Sequence, residues 1–188
     1  MILSANGSYT YTASNNASAL APDGFGQDIF AYTATYNDSD GPGGTASATL
    51  TFVVTSSSVT YVSGSSGSTI TASNGQRPVL DGGAGDVTVI APNGPAVLIG
   101  GPGDTLTGGH GRQTFVFLGD FGHNTITNFN THTDVIQLAQ SQFPDFTAVH
   151  NSMSGTDNTV ITYDDTGNTI TLIGVAPSSL DAHDFQFV

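Results

Sequence analysis

The chain has 188 residues, of which 37% are hydrophobic, and its 15 acidic and 2 basic residues give a formal net charge of -13. This charge would be repelled by a nucleic-acid backbone or an anionic membrane surface, which excludes both as partners. No apolar run approaches the roughly 18 residues that span a bilayer. All 15 acidic residues are aspartates, and Glu, Lys, Cys and Trp are absent. Thr, Ser, Gly and Val stand in place of the usual helix formers, which predicts an all-β fold.

Residues 1–55 alternate in the manner of strands, in three pieces at residues 8–13, 28–36 and 45–55. An acidic, glycine-rich turn at residues 37–44 joins the last two pieces and predicts a hairpin. The pieces GSYTYT, DIFAYT and TASATLTFVVT resemble the VCBS repeat, a cadherin-like module of bacterial surface proteins. Because almost nothing precedes the first piece, the resemblance implies a partial cadherin/Ig-like β-sandwich with an open edge, which a second chain could pair with.

Residues 56–68 are rich in Ser and Gly and are either a linker or the first row of the next domain. Residues 69–138 carry one apolar residue about every nine positions, separated by Gly or Asn. This period predicts a parallel β-roll in which each row is a short strand plus a turn and two rows complete a coil. The residues predicted to face the core are Ile70, Leu80, Val89, Leu98, Leu106, Phe115, Ile126 and Ile136.

Two of the turns repeat a motif: GGAGDVTVI begins at residue 82, and GGPGDTLTG begins 18 residues later. That spacing is one coil, so both turns should lie on the same edge. The motif resembles the RTX nonapeptide of hemolysin-type calcium-binding proteins, which implies that aspartates and inward carbonyls of successive turns share calcium ions. The resemblance assigns the following residues to calcium: Gly82, Gly83, Gly85, Asp86, Gly100, Gly101, Gly103, Asp104 and, one coil further, Asp120.

The chain departs from that consensus in two ways. Both GGxGD turns are one residue short, and the intervening rows lack the aspartate: residues 91–99 have none, and Gln113 stands in its place beside Arg112. We therefore expect one or two calcium ions on one edge of the roll and none on the other. A roll held by its apolar core without calcium is the alternative.

Residues 139–188 predict a cap for the roll, with one short helix within residues 143–153 and a hairpin within residues 158–175. An aspartate followed by apolar residues at the C terminus resembles the uncleaved signal of type I secretion. The resemblance implies a type I secretion apparatus as partner and a Gram-negative source, although a plain closing strand would have the same composition. The residues concerned are Asp184, Phe185, Phe187 and Val188.

Several other sites are unsupported. None of the five histidines is paired at metal-ligand spacing, and neither an HExxH motif nor a GxSxG elbow occurs, so we expect no enzyme. The NDSDG turn containing Asp38 and Asp40 is either a plain turn or a secondary calcium site. Thr-x-Thr triplets at residues 69–71, 105–107 and 125–127 would point outward, as in ice-binding solenoids. Because they are not on consecutive rows, we expect ordinary solvent-facing threonines.

Taken together, the sequence predicts a partial β-sandwich followed by a parallel β-roll with a small helix-and-hairpin cap. The predicted function is a non-enzymatic C-terminal module of a bacterial protein that is secreted or displayed at the cell surface, with calcium-assisted folding and type I secretion targeting. The alternatives are an adhesion or self-assembly module that binds itself or a cell-surface or matrix partner, and the non-catalytic tail of a larger secreted hydrolase.

Overall fold

The computed structural model describes residues 2–3, 9–10, 25–36, 44–55, 59–74, 77–83, 85–163 and 167–188. The chain divides into two compact units, Met1–Ser58 and Val59–Val188. Nearly all of the regular structure is β, as the composition predicts, and the single α-helix among the described residues has six residues. No helix in these ranges is long and apolar enough to cross a bilayer.

The first unit contains two antiparallel strand pairs in its described part. Strands β1 (Ile2–Leu3) and β2 (Tyr9–Thr10) pair with each other. Strands β3 (Phe25–Tyr36) and β4 (Gly44–Thr55) form the predicted hairpin, each with 12 residues. The turn that joins them, with the candidate calcium ligands Asp38 and Asp40, lies outside the described residues.

The second unit is a parallel β-roll in which successive strands alternate between two sheets. The first sheet has the order β14-β15-β16-β12-β10-β8-β6 and the second the order β17-β13-β11-β9-β7-β5. The strands are β5 (Tyr61–Ser63), β6 (Thr69–Thr71), β7 (Val79–Asp81), β8 (Thr88–Ile90), β9 (Ala96–Ile99), β10 (Thr105–Thr107), β11 (Gln113–Phe117), β12 (His123–Thr127), β13 (Val135–Leu138), β14 (Met153–Ser154), β15 (Thr159–Tyr163), β16 (Asn168–Leu172) and β17 (Phe185–Phe187).

The strands of the roll are short because each presents one central residue to the core between two turns. Ile70, Val89, Leu106 and Ile126 are in register in the first sheet, and Leu80, Leu98, Phe115 and Ile136 in the second. All eight predicted core residues are buried, which confirms the nine-residue period. Each fully buried aliphatic or aromatic side chain contributes about 1.5–3 kcal/mol, so this double row is the main source of stability.

The C-terminal cap extends both sheets. Helix α1 (Phe146–Asn151) is shorter than the predicted segment, begins at Asp145, whose side chain accepts the N–H of Ala148, and buries Val149. The hairpin of β15 and β16 places β16 parallel to β12 in the first sheet, and β17 lies parallel to β13 in the second. The last strand of each sheet in the order of the roll therefore comes from the C-terminal segment.

Candidate functional site

The residues predicted to bind calcium lie on one edge of the roll, where the chain passes from the second sheet to the first. We call the turns at residues 82–87, 100–104 and 118–122 the aspartate edge. Backbone hydrogen bonds connect successive turns: Gly82 N–H donates to the carbonyl of Ile99, and Asp86 N–H to that of Pro102, at 3.0 and 2.9 Å. The two GGxGD turns are thus stacked on the same edge.

Their register differs by one residue from the spacing of the motifs. Thr88 pairs with Thr105 and Val89 with Leu106, so this coil has 17 residues, whereas the two GGxGD motifs are 18 residues apart. Asp104 is therefore level with Val87 rather than with Asp86. The two predicted ligands occupy different positions in the coil and have different surroundings.

Asp104 points inward and is 1% exposed. Its Oδ1 accepts the N–H of Val87 at 2.8 Å, and its Oδ2 accepts the N–H of Gly101 at 2.7 Å. A Cβ on Gly82 would lie 1.8 Å from Asp104 Oδ2, so the close approach of the carboxylate requires glycine there. Asp104 thus fastens its own turn and the preceding coil through buried backbone donors.

Asp86 instead lies on the exposed side of the same edge. Its φ is 55°, a left-handed conformation that Asp tolerates better than most residues, and Gly85 before it has φ 82°. A Cβ on Gly103 would lie 2.6 Å from Asp86 Oδ1. The carboxylate of Asp86 therefore lies across the neighbouring turn, which is open to solvent.

A third carboxylate on this edge, Asp81 at the end of β7, was not among the predicted ligands. It is 8% exposed, accepts the hydroxyl of Tyr61 and accepts the N–H of Gly83 at 2.9 Å. Burial raises the pKa of Asp104; the two N–H donors lower it, and the negative charges of Asp81 and Asp86 raise it further. The carboxylates of Asp81 and Asp86 therefore both repel that of Asp104.

The other predicted residues of this edge are placed as follows. Asp120 is exposed in the third turn, and the inward position level with Asp104 is taken by Asn124, which is 2% exposed. Asn124 Nδ2 donates to the carbonyl of Phe121 at 2.6 Å. Gly101 lies against Gly83, where a Cβ would be 3.0 Å from a backbone carbonyl oxygen. Asp120 thus does not continue the inward row.

The opposite edge of the roll consists of the turns at residues 91–95, 108–112 and 128–134. It contains a buried aspartate that accepts backbone N–H groups as Asp104 does, and the sequence analysis did not predict it. Asp134 is 2% exposed, and its carboxylate accepts the N–H of Gln113 at 2.9 Å and of Asn130 at 3.0 Å. Burial raises the pKa of Asp134, although these hydrogen bonds lower it. The signal that the sequence offered was an aspartate immediately before a strand and four residues after Asn130.

Gln113, which replaces the aspartate of the consensus, has a donor role. Its Nε2 donates to the carbonyls of Gly94 and Gly111 at 3.1 and 3.2 Å. An ionised aspartate has acceptors only, so it could not serve these two carbonyls.

Of the predicted secretion residues, Phe185 and Phe187 lie in the closing strand β17, with Asp184 directly before it and Val188 directly after it. Asp184 is 2% exposed and accepts the N–H of Asp181 at 2.8 Å, and burial raises its pKa. Phe185 pairs with Ile136 and is buried, Phe187 pairs with Leu138, and Val188 is 50% exposed.

Metal-binding geometry from side chains alone is not found in the described ranges. No three His, Cys, Asp or Glu side chains there are arranged so that they could hold an ion. Any cation on the aspartate edge would therefore need further ligands, such as backbone carbonyls or water.

No known family profile matches the sequence, and no curated protein matches it. Among solved structures, the chain is similar to the extracellular lipase LipA from Serratia marcescens, with a TM-score of 0.58 and 20% identity. The similarity covers 83% of this chain but 26% of the lipase chain, so this chain spans about a quarter of that protein. At this identity the comparison shows a shared fold.

Proposed function

We propose that this chain is a non-enzymatic module of a secreted or surface-exposed Gram-negative protein, of the RTX type, in which calcium completes the folding of the β-roll. The observation that carries the proposal is the group of three carboxylates on the aspartate edge. The fold shared with part of an extracellular lipase supports an extracellular setting. Any hydrolytic activity of the parent protein would lie outside this chain.

The ligand chemistry of the aspartate edge suits calcium. Carboxylates and backbone carbonyls are the ligands that calcium takes, and Asp86 is exposed beside stacked glycine turns. Asp104 has accepted one N–H on each oxygen, and a carboxylate oxygen retains a further lone pair. We assign Asp86 and Asp104 as the residues that would hold the ion, with Asp81 adding charge.

The mechanism is coupled folding and binding. Without calcium, repulsion between the three carboxylates opposes closure of the coils; bound calcium neutralises them. Extracellular modules bind calcium with a Kd of about 10⁻⁴–10⁻³ M, which suits binding after export. At a concentration tenfold above Kd, one site adds about 1.4 kcal/mol to the free energy of unfolding.

A calcium titration tests this mechanism. We expect the melting temperature, followed by circular dichroism, to rise when calcium replaces chelator, with magnesium much less effective because it prefers small octahedral sites. Asp86→Asn keeps the shape of a residue that tolerates a positive φ and should weaken the calcium-dependent rise. Asp157→Asn, in an exposed turn between β14 and β15, is the matched control and should preserve it. An identical melting temperature in chelator and in calcium would refute the mechanism.

Export is a separate component, which we propose is directed by Asp184, Phe185, Phe187 and Val188 before this segment folds onto the roll. A folded tag fused after Val188 should abolish export by a host that carries a type I secretion apparatus, because the free C terminus is then blocked. The same tag fused ahead of Met1 should leave export intact. Equal export of both fusions would remove this component while leaving the calcium mechanism standing.

A further inference from the structure

The Thr-x-Thr triplets, which are separated by other rows in the sequence, all lie in one sheet of the fold. Successive rows belong to opposite sheets, so the triplets of β6, β10 and β12 all lie in the first sheet, with β8 between the first two. Two triplets can therefore be separated by a row in the sequence and still lie on neighbouring strands of one sheet. Parallel pairing places β12 beside β10, β10 beside β8 and β8 beside β6.

The outward residues of the first sheet form two columns, which we call the threonine face. One column contains five threonines in register, Thr69, Thr88, Thr105, Thr125 and Thr171. The other contains Thr71, Ile90, Thr107, Thr127 and, directly after the partner of Ile126, Ile173. Threonines recur about every 4.7–4.9 Å across the strands and about 6.6 Å along them, as expected for a parallel sheet.

The face is accessible, and its side chains are held in place. All ten residues are exposed or half-buried, and Ile90 and Ile173 are 38% and 46% exposed. Thr127 Oγ1 donates to Thr107 Oγ1 at 2.9 Å, which fixes neighbouring hydroxyls along one column. The β-branched side chains have few rotamers, so the hydroxyl and methyl positions repeat with the strands.

The chemistry of the face limits its partner. None of the ten residues, all of which the structure describes, is charged, although the whole chain carries -13. A neutral face complements an uncharged surface and offers no cation to a phosphate or carboxylate. None of the ten is aromatic, so the face lacks the rings on which a sugar could stack.

We propose that the threonine face binds ice. A fixed two-dimensional repeat of hydroxyls can hydrogen-bond to a repeating array of water molecules, and the intervening methyl groups and isoleucines exclude disordered water. Ice is an uncharged surface with such a repeat. The inference concerns a different surface from the aspartate edge and stands whether or not calcium binds there.

Partition of the full-length protein into slowly growing ice tests this directly. We expect the chain to be enriched in the ice fraction relative to an inert reference protein, and to shape single ice crystals. Thr105→Lys places a charge at the centre of the face and should reduce enrichment to the level of the reference. Thr125→Val keeps the side-chain shape and removes one hydroxyl, so it should cause a smaller loss.

Ser141→Lys introduces the same charge in an exposed turn that follows β13 of the second sheet and should bind ice like the parent. Unchanged melting temperatures would establish that Thr105→Lys and Thr125→Val are folded. Exclusion of the parent protein from ice would overturn the proposal, and so would full binding by folded Thr105→Lys. Binding to crystalline cellulose or chitin without binding to ice would also overturn it and would identify a polysaccharide surface instead.

Discussion

Asp104→Ala is expected to lower the free energy of unfolding of the roll by about 2–4 kcal/mol, even in the presence of chelator. The substitution leaves the buried N–H groups of Val87 and Gly101 without an acceptor, at about 1–3 kcal/mol each. Relief of the buried negative charge offsets part of that cost. Urea denaturation followed by circular dichroism measures the loss, and hydrogen exchange of the Val87 and Gly101 amides locates it.

Asp120→Ala provides the control, since Asp120 is exposed on the same edge. It should change stability by no more than about 0.5 kcal/mol, the usual range for surface positions. A loss as large as that of Asp104→Ala would show that general charge on this edge, rather than the two buried hydrogen bonds, determines stability.

The pH dependence has a definite sign. Burial raises the pKa of both Asp104 and Asp134, so the folded chain holds their protons at a higher pH than the unfolded chain does. Their contribution to stability is then fully present below about pH 3.9, the ordinary aspartate pKa, and is lost as the pH rises through the raised values. In chelator, Asp104→Asn should reduce this dependence, and a steeper one would contradict the assignment.

Gly82→Ala is expected to destabilise the roll by about 1–3 kcal/mol, the usual cost of forcing extra volume into a packed site. Its Cβ would lie 1.8 Å from Asp104 Oδ2, and that carboxylate is held by two hydrogen bonds and cannot move away without breaking them. Gly94→Ala is the matched control. Its Cβ meets nothing within 4 Å, so we expect a gain of about 0.4–1 kcal/mol from reduced freedom of the unfolded chain.

A double-mutant cycle identifies the cause. In the Asp104→Ala background the carboxylate is gone and only the Ile99 carbonyl oxygen, 3.3 Å from the new Cβ, stays close. Gly82→Ala should therefore cost much less, and the two losses should be far from additive. Additive losses would mean that Gly82 is required for some other reason than contact with Asp104. Chemical denaturation of the four proteins under one condition completes the comparison.

The core of the roll could be predicted because hydrophobic period and strand geometry agree. Residues such as Leu98 and Phe115 recur at fixed spacing, and each must face inward whatever the turns do. The register on the aspartate edge could not be predicted from the GGxGD motifs. Packing aligns Val89 with Leu106, and the turns absorb the extra residue by turning Asp86 outward and Asp104 inward.

The capping residues were missed for a related reason. A single aspartate before a strand, such as Asp134, has the same local appearance as an ordinary turn former, because its two donors come from different coils. Contacts between coils become visible only when the register is known. The placement of the Thr-x-Thr triplets in one sheet likewise depends on which strands pair, and their spacing in the sequence does not give it.

The positions of β16 and β17 imply an order in which the strands of the roll fold. Between β5 and β13, each coil pairs with the coil that immediately follows it in the sequence. These coils can therefore form one after another through short loops. The cap is different because its pairing partners are far apart in the sequence. Ile126 pairs with Leu172, and Ile136 pairs with Phe185. Contacts between distant residues form slowly, so the edges of β12 and β13 stay unpaired until β16 and β17 have been synthesised and have folded onto them. A chain truncated before β16 would therefore expose the edges of β12 and β13, which β16 and β17 otherwise cover.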